Sequence, residues 1–136
     1  MLDSLDETTS KRLKVFIIED DEDNLNLYND YLCHKGHHVV NTYQKTDSIM
    51  TDIENDTPDV YLLDYKLPGN KNGIEVATEI LNKFPKAPIL FITAHESLRN
   101  EMSKLPKFHD KNIEFLTKPV KLYQMESSIL NLVNKK

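Results

Sequence analysis

The sequence predicts an α/β domain in which five parallel strands form a doubly wound sheet between two layers of helices. Two observations favour this fold class. Short apolar runs rich in β-branched residues alternate along the chain with segments whose apolar residues recur at helical spacing. The apolar runs are hydrophobic almost throughout, which is typical of strands buried on both faces. Repeated strand–helix units of this kind place their strands parallel and their helices on both sides of the sheet.

Five strands are predicted from the apolar runs. They are LKVFIIE (13–19), HHVVNTY (37–43), DVYLLD (59–64), PILFIT (88–93) and IEFLT (113–117). The second has the weakest pattern of the five. The third runs directly into the Pro- and Gly-containing loop YKLPGNKNG, which marks its end.

Five helices are predicted to alternate with these strands. Their apolar positions are, in chain order, Leu25, Tyr28 and Leu32; Ile49 and Ile53; Ile74, Ala77, Ile80 and Leu81; Leu98, Met102 and Leu105; and Leu122, Met125, Ile129, Leu130 and Val133. Gly36 supplies the stop for the first helix, and the third ends near Phe84-Pro85. The fourth, over about residues 96–104, has the thinnest apolar stripe, and the fifth begins at about Val120.

Length, charge and cysteine content limit the class of protein. The 136 residues predict one domain over residues 13–136 after a flexible tail over residues 1–12. The net charge of −5 argues against a nucleic-acid or anionic-membrane partner, and no apolar stretch approaches the ~20 residues that span a bilayer. The N-terminus has too many acids for a signal peptide, and the single cysteine, Cys33, fits a reducing compartment, so we expect a cytoplasmic protein. We expect Cys33 to be an inert core or half-buried thiol.

Four of the five predicted strands end on residues that carry chemistry. The first ends on the acids Glu19 and Asp20, and the third ends on Asp64. The fourth ends on the hydroxyl of Thr93, and the fifth is followed by the amine of Lys118. In an open doubly wound sheet, chemistry gathers outside the carboxyl ends of the strands, so these side chains are predicted to share one site.

The predicted site has a charge problem that suggests its chemistry. In the strand order 2-1-3-4-5, strands one and three are neighbours, which brings Asp20 and Asp64 close together. Two carboxylates about 4 Å apart repel by roughly 4 kcal/mol at an effective dielectric constant near 20. A hard divalent cation such as Mg²⁺ would relieve this repulsion and leave a coordination position for a phosphate oxygen. We therefore expect the Asp64 carboxylate to attack a phosphoryl group, with Lys118 and Thr93 contacting its other oxygens.

The ordered set of residues resembles the receiver domain of two-component response regulators, over about residues 13 to 134. The matching positions are the acidic pair Glu19 and Asp20, the phosphoacceptor Asp64, Pro68 four residues on, Thr93-Ala94, the aromatic Phe115 and Lys118-Pro119. The resemblance implies a flavodoxin-like (βα)5 fold of the stand-alone, chemotaxis-regulator-like type. It also implies a cis bond before Pro119 and a Mg²⁺ site formed by Glu19, Asp20, Asp64 and the backbone carbonyl of Lys66.

The resemblance implies a signalling role in a phosphorelay. A sensor histidine kinase or a histidine phosphotransfer protein would give its phosphoryl group to Asp64, and Thr93 and Phe115 would act as switch residues. The response would appear at the face formed by the fourth helix, fifth strand and fifth helix, through a downstream protein target, relay of the phosphate or a homodimer. Such a phosphoprotein is not an enzyme beyond its own phosphorylation and dephosphorylation.

Two alternatives and four smaller expectations accompany this interpretation. The fold could serve as a phosphorylation-independent adaptor, or the chain could be a haloacid-dehalogenase-like phosphatase, although Lys66 stands where that enzyme needs an acid. The loop from Asp64 to Gly73 is one residue longer than the usual pattern, and Lys66 and His95 hold positions that tune phosphoryl lifetime in the family. Acids at the start of the first helix, among them Asp21 and Asp23, are expected to cap it. Three nearby histidines, His34, His37 and His38, match no zinc pattern and are expected at the surface.

Overall fold

The structure is a computed structural model that describes residues 12–43, 57–67 and 71–134. Three predictions fall elsewhere in the chain. The tail before residue 12, the second helix around Ile49 and Ile53, and Pro68 all lie outside the described residues.

Five parallel strands form a single sheet in the described part of the chain. They are β1 (Lys14–Ile18), β2 (His38–Tyr43), β3 (Val60–Leu63), β4 (Ile89–Thr93) and β5 (Ile113–Thr117). Their order is β2-β1-β3-β4-β5, and every neighbouring pair is parallel. The predicted fold class and strand order are confirmed.

Four helices and one short turn of 3₁₀ helix connect these strands where the chain is described. They are α1 (Glu22–His34), α2 (Gly73–Lys83), α3 (Leu98–Ser103), the 3₁₀ turn (Pro106–Phe108) and α4 (Leu122–Asn134). These correspond to the first, third, fourth and fifth predicted helices. Helix α4 begins at Leu122 rather than at Val120, and Leu132, which the periodicity had not singled out, is fully buried beside Met125 and Ile129.

Alternate residues of β1 point to two separate hydrophobic layers. Phe16 and Ile18 join a cluster that α2 and α3 cover, whereas Val15 and Ile17 join a cluster that α1 and α4 cover. Strands β3 and β4 are buried along their whole length. Both faces of the central strands are covered by helices. The polar side chains at the carboxyl ends of these strands therefore lie where the buried core ends, at the edge of the sheet.

The ends of α1 place the first acidic residues at this edge. Asp21 is the N-cap, and its carboxylate accepts a hydrogen bond from the Asn24 N–H at 3.1 Å, as predicted for an acid at a helix start. At the other end Gly36 has a φ of 92°, and the next N–H bonds back to the carbonyl of Leu32. This left-handed stop is the one that the glycine predicted.

Two predictions on single side chains are wrong. Cys33 is exposed rather than buried or half-buried, because the inward stripe of α1 is Leu25, Tyr28 and Leu32, and the next residue turns away from it. His37 is buried rather than at the surface, because its ring lies between the backbone of Leu13 and the carboxylate of α4 residue Glu126.

No helix in the described residues combines the length and apolar character that a membrane crossing requires.

Candidate functional site

The carboxyl ends of β1, β3, β4 and β5 bring the predicted site residues together. Asp20, Asp64, Tyr65, Lys66, Thr93, Ala94 and His95 line a cleft of about 320 Å³ at this edge. Glu19 and Lys118 lie directly beneath it, in contact with Asp64 through the Lys118 amine. The predicted neighbourhood of Asp20 and Asp64 is confirmed, since the three acids at this edge can each offer an oxygen within 4.8 Å of the others.

The Lys118 ammonium group is the electrostatic centre of the cluster. Its Nζ atom lies 2.8 Å from Asp64 Oδ2, and 3.1 and 3.2 Å from the two carboxylate oxygens of Glu19. Only 18% of the Lys118 side chain is exposed, so these bonds form in a largely desolvated place. One amine therefore joins the ends of β1 and β3 to the residue that follows β5.

Burial and hydrogen bonding act in opposite directions on the pKa of Lys118. Burial lowers the pKa of the amine, but the hydrogen bonds that it donates to Asp64 and Glu19 together outweigh burial and raise the pKa above its usual value. The group is therefore a permanent cation at neutral pH.

Burial decides the pKa of Glu19. The side chain is almost completely inaccessible, and loss of solvation raises the pKa of its carboxyl group. Hydrogen bonds from the Asp21 N–H, at 3.1 Å, and from Lys118 lower it, while the negative charge of Asp64 raises it again. Lys118 stabilises the Glu19 carboxylate, but not enough to offset burial, so this acid carries its charge at an energetic cost.

Asp64 is held by backbone as well as by Lys118. Its Oδ1 atom accepts a hydrogen bond from the Tyr65 N–H at 2.6 Å, and only 6% of the residue is exposed. The resting carboxylate therefore has one oxygen on a backbone donor and the other on an ammonium group.

Gly73 supports the loop after Asp64, a role for this glycine that was not predicted from the sequence. The Gly73 N–H donates to the Tyr65 carbonyl at 2.7 Å, and a Cβ atom at position 73 would overlap the carbonyl oxygen of Asp64. Asn72 fixes the same point by a capping box with Glu75. The available signal was Asn-Gly at the head of an amphipathic helix, which indicates a close approach of two backbones.

Thr93 is buried at the end of β4 and lines the cleft. Its Oγ1 atom accepts a hydrogen bond from the His95 N–H at 3.1 Å, and its carbonyl oxygen accepts one from the Lys118 N–H at 2.9 Å. The hydroxyl hydrogen is left to donate toward the cleft. Thr93 therefore links the loop after β4 to the backbone that carries Lys118.

An aromatic pair forms one wall of the cleft, and of its two members only His95 was predicted from the sequence. The Tyr65 and His95 rings stack with centroids 4.6 Å apart and an angle of 13° between their planes. His95 Nε2 lies 2.8 Å from a carboxylate oxygen of Glu101 on α3. Tyr65 carried no signal by itself, because only the fold sets the loop after β3 beside the loop after β4.

Phe115 lies on β5, outside the residues that line the cleft. Its half-buried ring stacks on Phe91 of β4, with centroids 5.4 Å apart, and the guanidinium group of Arg99 lies over it at 4.9 Å. The bond between Lys118 and Pro119 is cis, as expected from the resemblance. Lys66 is exposed at the rim of the cleft.

The donor set at the cleft suits a hard divalent cation. Glu19, Asp20 and Asp64 together offer carboxylate oxygens, the ligands that Mg²⁺ prefers, and a single ammonium group leaves them with excess negative charge. Soft thiolate or imidazole ligands are absent from this three-acid group in the part of the chain that is described.

A parallel 2-1-3-4-5 sheet with an acid-rich cleft at its carboxyl edge defines the class of doubly wound α/β domains that carry their site at the strand ends. The model of the response regulator receiver domain matches residues 15–130, and the chain belongs to this family. Receiver domains are signalling domains that interact with histidine kinases and downstream effectors.

Among curated proteins the chain is similar to the uncharacterized transcriptional regulatory protein YrkP of Bacillus subtilis (strain 168). The two are 29% identical over 117 residues, which is 86% of this chain and 48% of the relative. The chain therefore spans about half the length of this relative.

Two solved structures show the same fold. A putative response regulator from Chloroflexus aurantiacus J-10-fl has a TM-score of 0.78 at 19% identity, covering 92% of this chain and 100% of that one. The BeF3-activated N-terminal receiver domain of Klebsiella pneumoniae RstA has a TM-score of 0.75 at 23% identity, covering 90% of this chain and 99% of that one.

Proposed function

We propose that Asp64 accepts a phosphoryl group from a phosphohistidine on a sensor histidine kinase or a histidine phosphotransfer protein. The observation that carries this proposal is the Lys118 amine, 2.8 Å from Asp64 Oδ2 in a cleft that Thr93 also lines. A carboxylate, an ammonium group and a hydroxyl around one open space are the groups that phosphoryl transfer to an aspartate requires.

In the proposed reaction a carboxylate oxygen of Asp64 attacks the phosphorus atom. The phosphorus–nitrogen bond of the donor breaks, and the histidine nitrogen keeps its electron pair. Lys118 then exchanges its bond to Asp64 for one to a phosphoryl oxygen, and the Thr93 hydroxyl donates to another. Because the Lys118 amine is already a cation in a desolvated place, it needs no proton transfer before it stabilises the new charge.

Glu19, Asp20 and Asp64 would hold Mg²⁺ in this function, together with the backbone carbonyl of Lys66. When bound, the ion would supply positive charge at the attacking and transferred oxygens. The protein's own contribution is to hold the three acids close together in spite of their repulsion, which Lys118 only partly balances.

The output would follow from the new charge at Asp64, about −1.5 to −2 for a phosphoryl group at neutral pH. Thr93 and Phe115 are proposed to change position as Thr93 follows the phosphoryl group, and the face of α3, β5 and α4 would then bind a downstream protein or a second copy of the chain. In this proposal residues 13–136 act as the receiver unit in the cytoplasm, whether as terminal output or as a relay.

The test is the mass of the intact protein after incubation with acetyl phosphate, with and without Mg²⁺. We expect a gain of one phosphoryl group that requires Mg²⁺ and disappears in Asp64→Asn. Asp30→Asn, which makes the same change on the exposed surface of α1, should keep the gain.

Asp64→Asn protein that still gains Mg²⁺-dependent phosphate would contradict the proposed acceptor. If wild-type protein gains no mass from acetyl phosphate or from a phosphorylated histidine kinase, the adaptor function is favoured instead. Continuous release of phosphate from p-nitrophenyl phosphate would favour a phosphatase.

A further inference from the structure

Positive charge is concentrated in one stretch of this acidic chain. Residues 83–111 contain six of its 17 Lys and Arg residues but three of its 22 Asp and Glu residues, a formal charge of +3 within a chain of −5. The stretch includes α3 and the 3₁₀ turn that leads to β5. A local field of opposite sign to the whole protein selects an oppositely charged partner at that place.

A groove of about 220 Å³ lies between α3, the 3₁₀ turn and β5, within this positive region. We call it the cationic groove, and its lining includes Arg99, Met102, Phe108, Lys111, Ile113 and Phe115. Its apolar residues include two half-buried side chains, Ile113 and Phe115, which present their accessible surface on the edge strand β5. An apolar floor with cations at the rim has the composition of a binding groove for a protein segment.

The cations at this groove have no carboxylate partner in the described part of the chain. Arg99 lies over the Phe115 ring and donates to the Phe115 carbonyl at 3.4 Å. Lys111 reaches only the Pro85 carbonyl, at 3.5 Å, and Lys107 lies over the Phe108 ring at 5.4 Å. These neutral contacts are ones that an incoming carboxylate could supplement or replace.

The acids on α3 and β5 do not satisfy these cations. Glu101 bonds to His95 and to Ser97, both at 2.8 Å, on the side toward the Asp64 cleft. Glu114 alternates with Ile113 and Phe115 along β5, so its side chain lies on the other face of the sheet. The groove therefore keeps its positive rim in the folded protein.

We propose that the cationic groove binds an acidic segment of a partner protein that places an apolar side chain against Phe115 and carboxylates beside Arg99 and Lys111. This deepens the proposed function, because it gives the chemistry of the downstream target. Nucleic acid fits less well, since the whole chain is acidic and the floor of the groove is apolar rather than a track of donors.

The groove shares Phe115 with the proposed switch, so binding and phosphorylation should be linked. A partner that holds the Phe115 ring against its own apolar side chain favours one position of that ring over the other. By reciprocity, phosphorylation of Asp64 changes the affinity of the groove for its partner by a certain factor, and the bound partner changes the equilibrium constant of Asp64 phosphorylation by the same factor. Only this linkage rests on the proposed function; the binding itself does not.

The experiment uses a fluorescein-labelled acidic peptide of about 12 residues, in which Asp and Glu surround Leu and Phe at i, i+3 and i+4. A matched basic peptide has Lys in place of each acid. We expect the acidic peptide alone to bind unphosphorylated protein by fluorescence anisotropy, with amide NMR shifts centred on α3 and β5. Arg99→Gln combined with Lys111→Gln should weaken binding about tenfold.

Lys35→Gln combined with Lys121→Gln is the matched control, since it removes two exposed cations, one of which also lies over an aromatic ring. The proposal would be overturned if this control weakened peptide binding as much as the groove variant does. It would also be overturned if the basic peptide or a short DNA duplex bound as tightly as the acidic peptide, or if the amide NMR signals of α3 and β5 did not shift. A concentration-dependent dimer that the groove variant abolishes would replace the partner with a second copy.

The two proposals fail separately. Acetyl phosphate uptake should be unchanged in the groove variant, and peptide binding should persist in Asp64→Asn. If the wild-type protein binds the peptide but takes up no phosphate, only the proposed function is overturned. If it takes up phosphate but does not bind the peptide, only the groove proposal is overturned.

Discussion

Two clusters of ionisable side chains in the described part of the chain differ in how many acids each basic side chain faces. At the carboxyl edge of the sheet, Lys118 faces Glu19 and Asp64, with Asp20 close by, so three acids share one amine. Near the amino ends of β1 and β2, His37 faces Glu126 at 3.0 Å as a one-to-one pair.

Both ring nitrogens of His37 have a hydrogen-bond partner. The Leu13 N–H lies 3.4 Å from His37 Nδ1 and can only donate, so Nδ1 accepts, and Nε2 carries the hydrogen that points to Glu126. The pair therefore ties the last helix to the edge strands with no ligand needed. We infer from the comparison that an unbalanced cluster, with three acids around one amine, suits a cationic ligand, whereas a balanced one-to-one pair stabilises the fold.

The largest effect is expected from Lys118→Ala, which removes the cation that Glu19 and Asp64 share. Glu19 and Asp64 would remain buried without a partner, and we expect the free energy of unfolding at neutral pH to fall by about 3 kcal/mol. Urea unfolding measures this, and some phosphate uptake should persist. An unchanged midpoint would show that the amine does not offset the repulsion.

A smaller loss is expected at the balanced pair. Glu126→Ala leaves the His37 Nε2–H without an acceptor and should lower the free energy of unfolding by about 1–2 kcal/mol. Glu126→Gln keeps an acceptor oxygen and should lose less than half of that. Acetyl phosphate uptake should remain normal in both, and a clear defect in uptake would mean that the two clusters are coupled.

Asp20→Asn should raise the stability, because it reduces the repulsion among the three acids without removing any described hydrogen bond. We expect the protein without Mg²⁺ to gain about 0.5 kcal/mol of stability. Wild type should gain stability when Mg²⁺ is added, and the variant should gain much less. Thermal unfolding with and without Mg²⁺ measures both.

Asp21→Asn is the control for Asp20→Asn, since it makes the same charge change one residue along and Asn still caps α1. It should keep the Mg²⁺ effect. If both variants lose that effect equally, Asp20 has no special part in ion binding.

Sequence alone predicted most of this fold because the strands are buried on both faces. Hydrophobic runs such as 59–64 and 88–93 leave little choice of secondary structure, and their boundaries agree with β3 and β4 within two residues. The start of α4 and the burial of Leu132 were missed, because several leucines at helical spacing give more than one acceptable inward stripe.

The site was predictable for the residues that end strands and was missed where two loops meet. Glu19, Asp64, Thr93 and Lys118 follow from their positions alone, since parallel strands end at one edge. The Tyr65–His95 stack and the support from Gly73 depend on how separate loops approach, which no local pattern encodes. His37 was misjudged for the same reason, because Glu126 is distant in sequence.

The most delicate test of the comparison is the pH dependence of Glu19→Gln. Burial raises the pKa of Glu19 in the folded protein, so this group stabilises the fold below its unfolded pKa and that stability is lost as pH rises through the folded value. Removing the charge should therefore make the variant more stable than wild type at pH 7, and the advantage should shrink as the pH falls toward about 4.3, the unfolded value of glutamate. Urea midpoints measured across this range for both proteins give the difference, and a difference that does not vary with pH would mean that Lys118 already balances Glu19 fully.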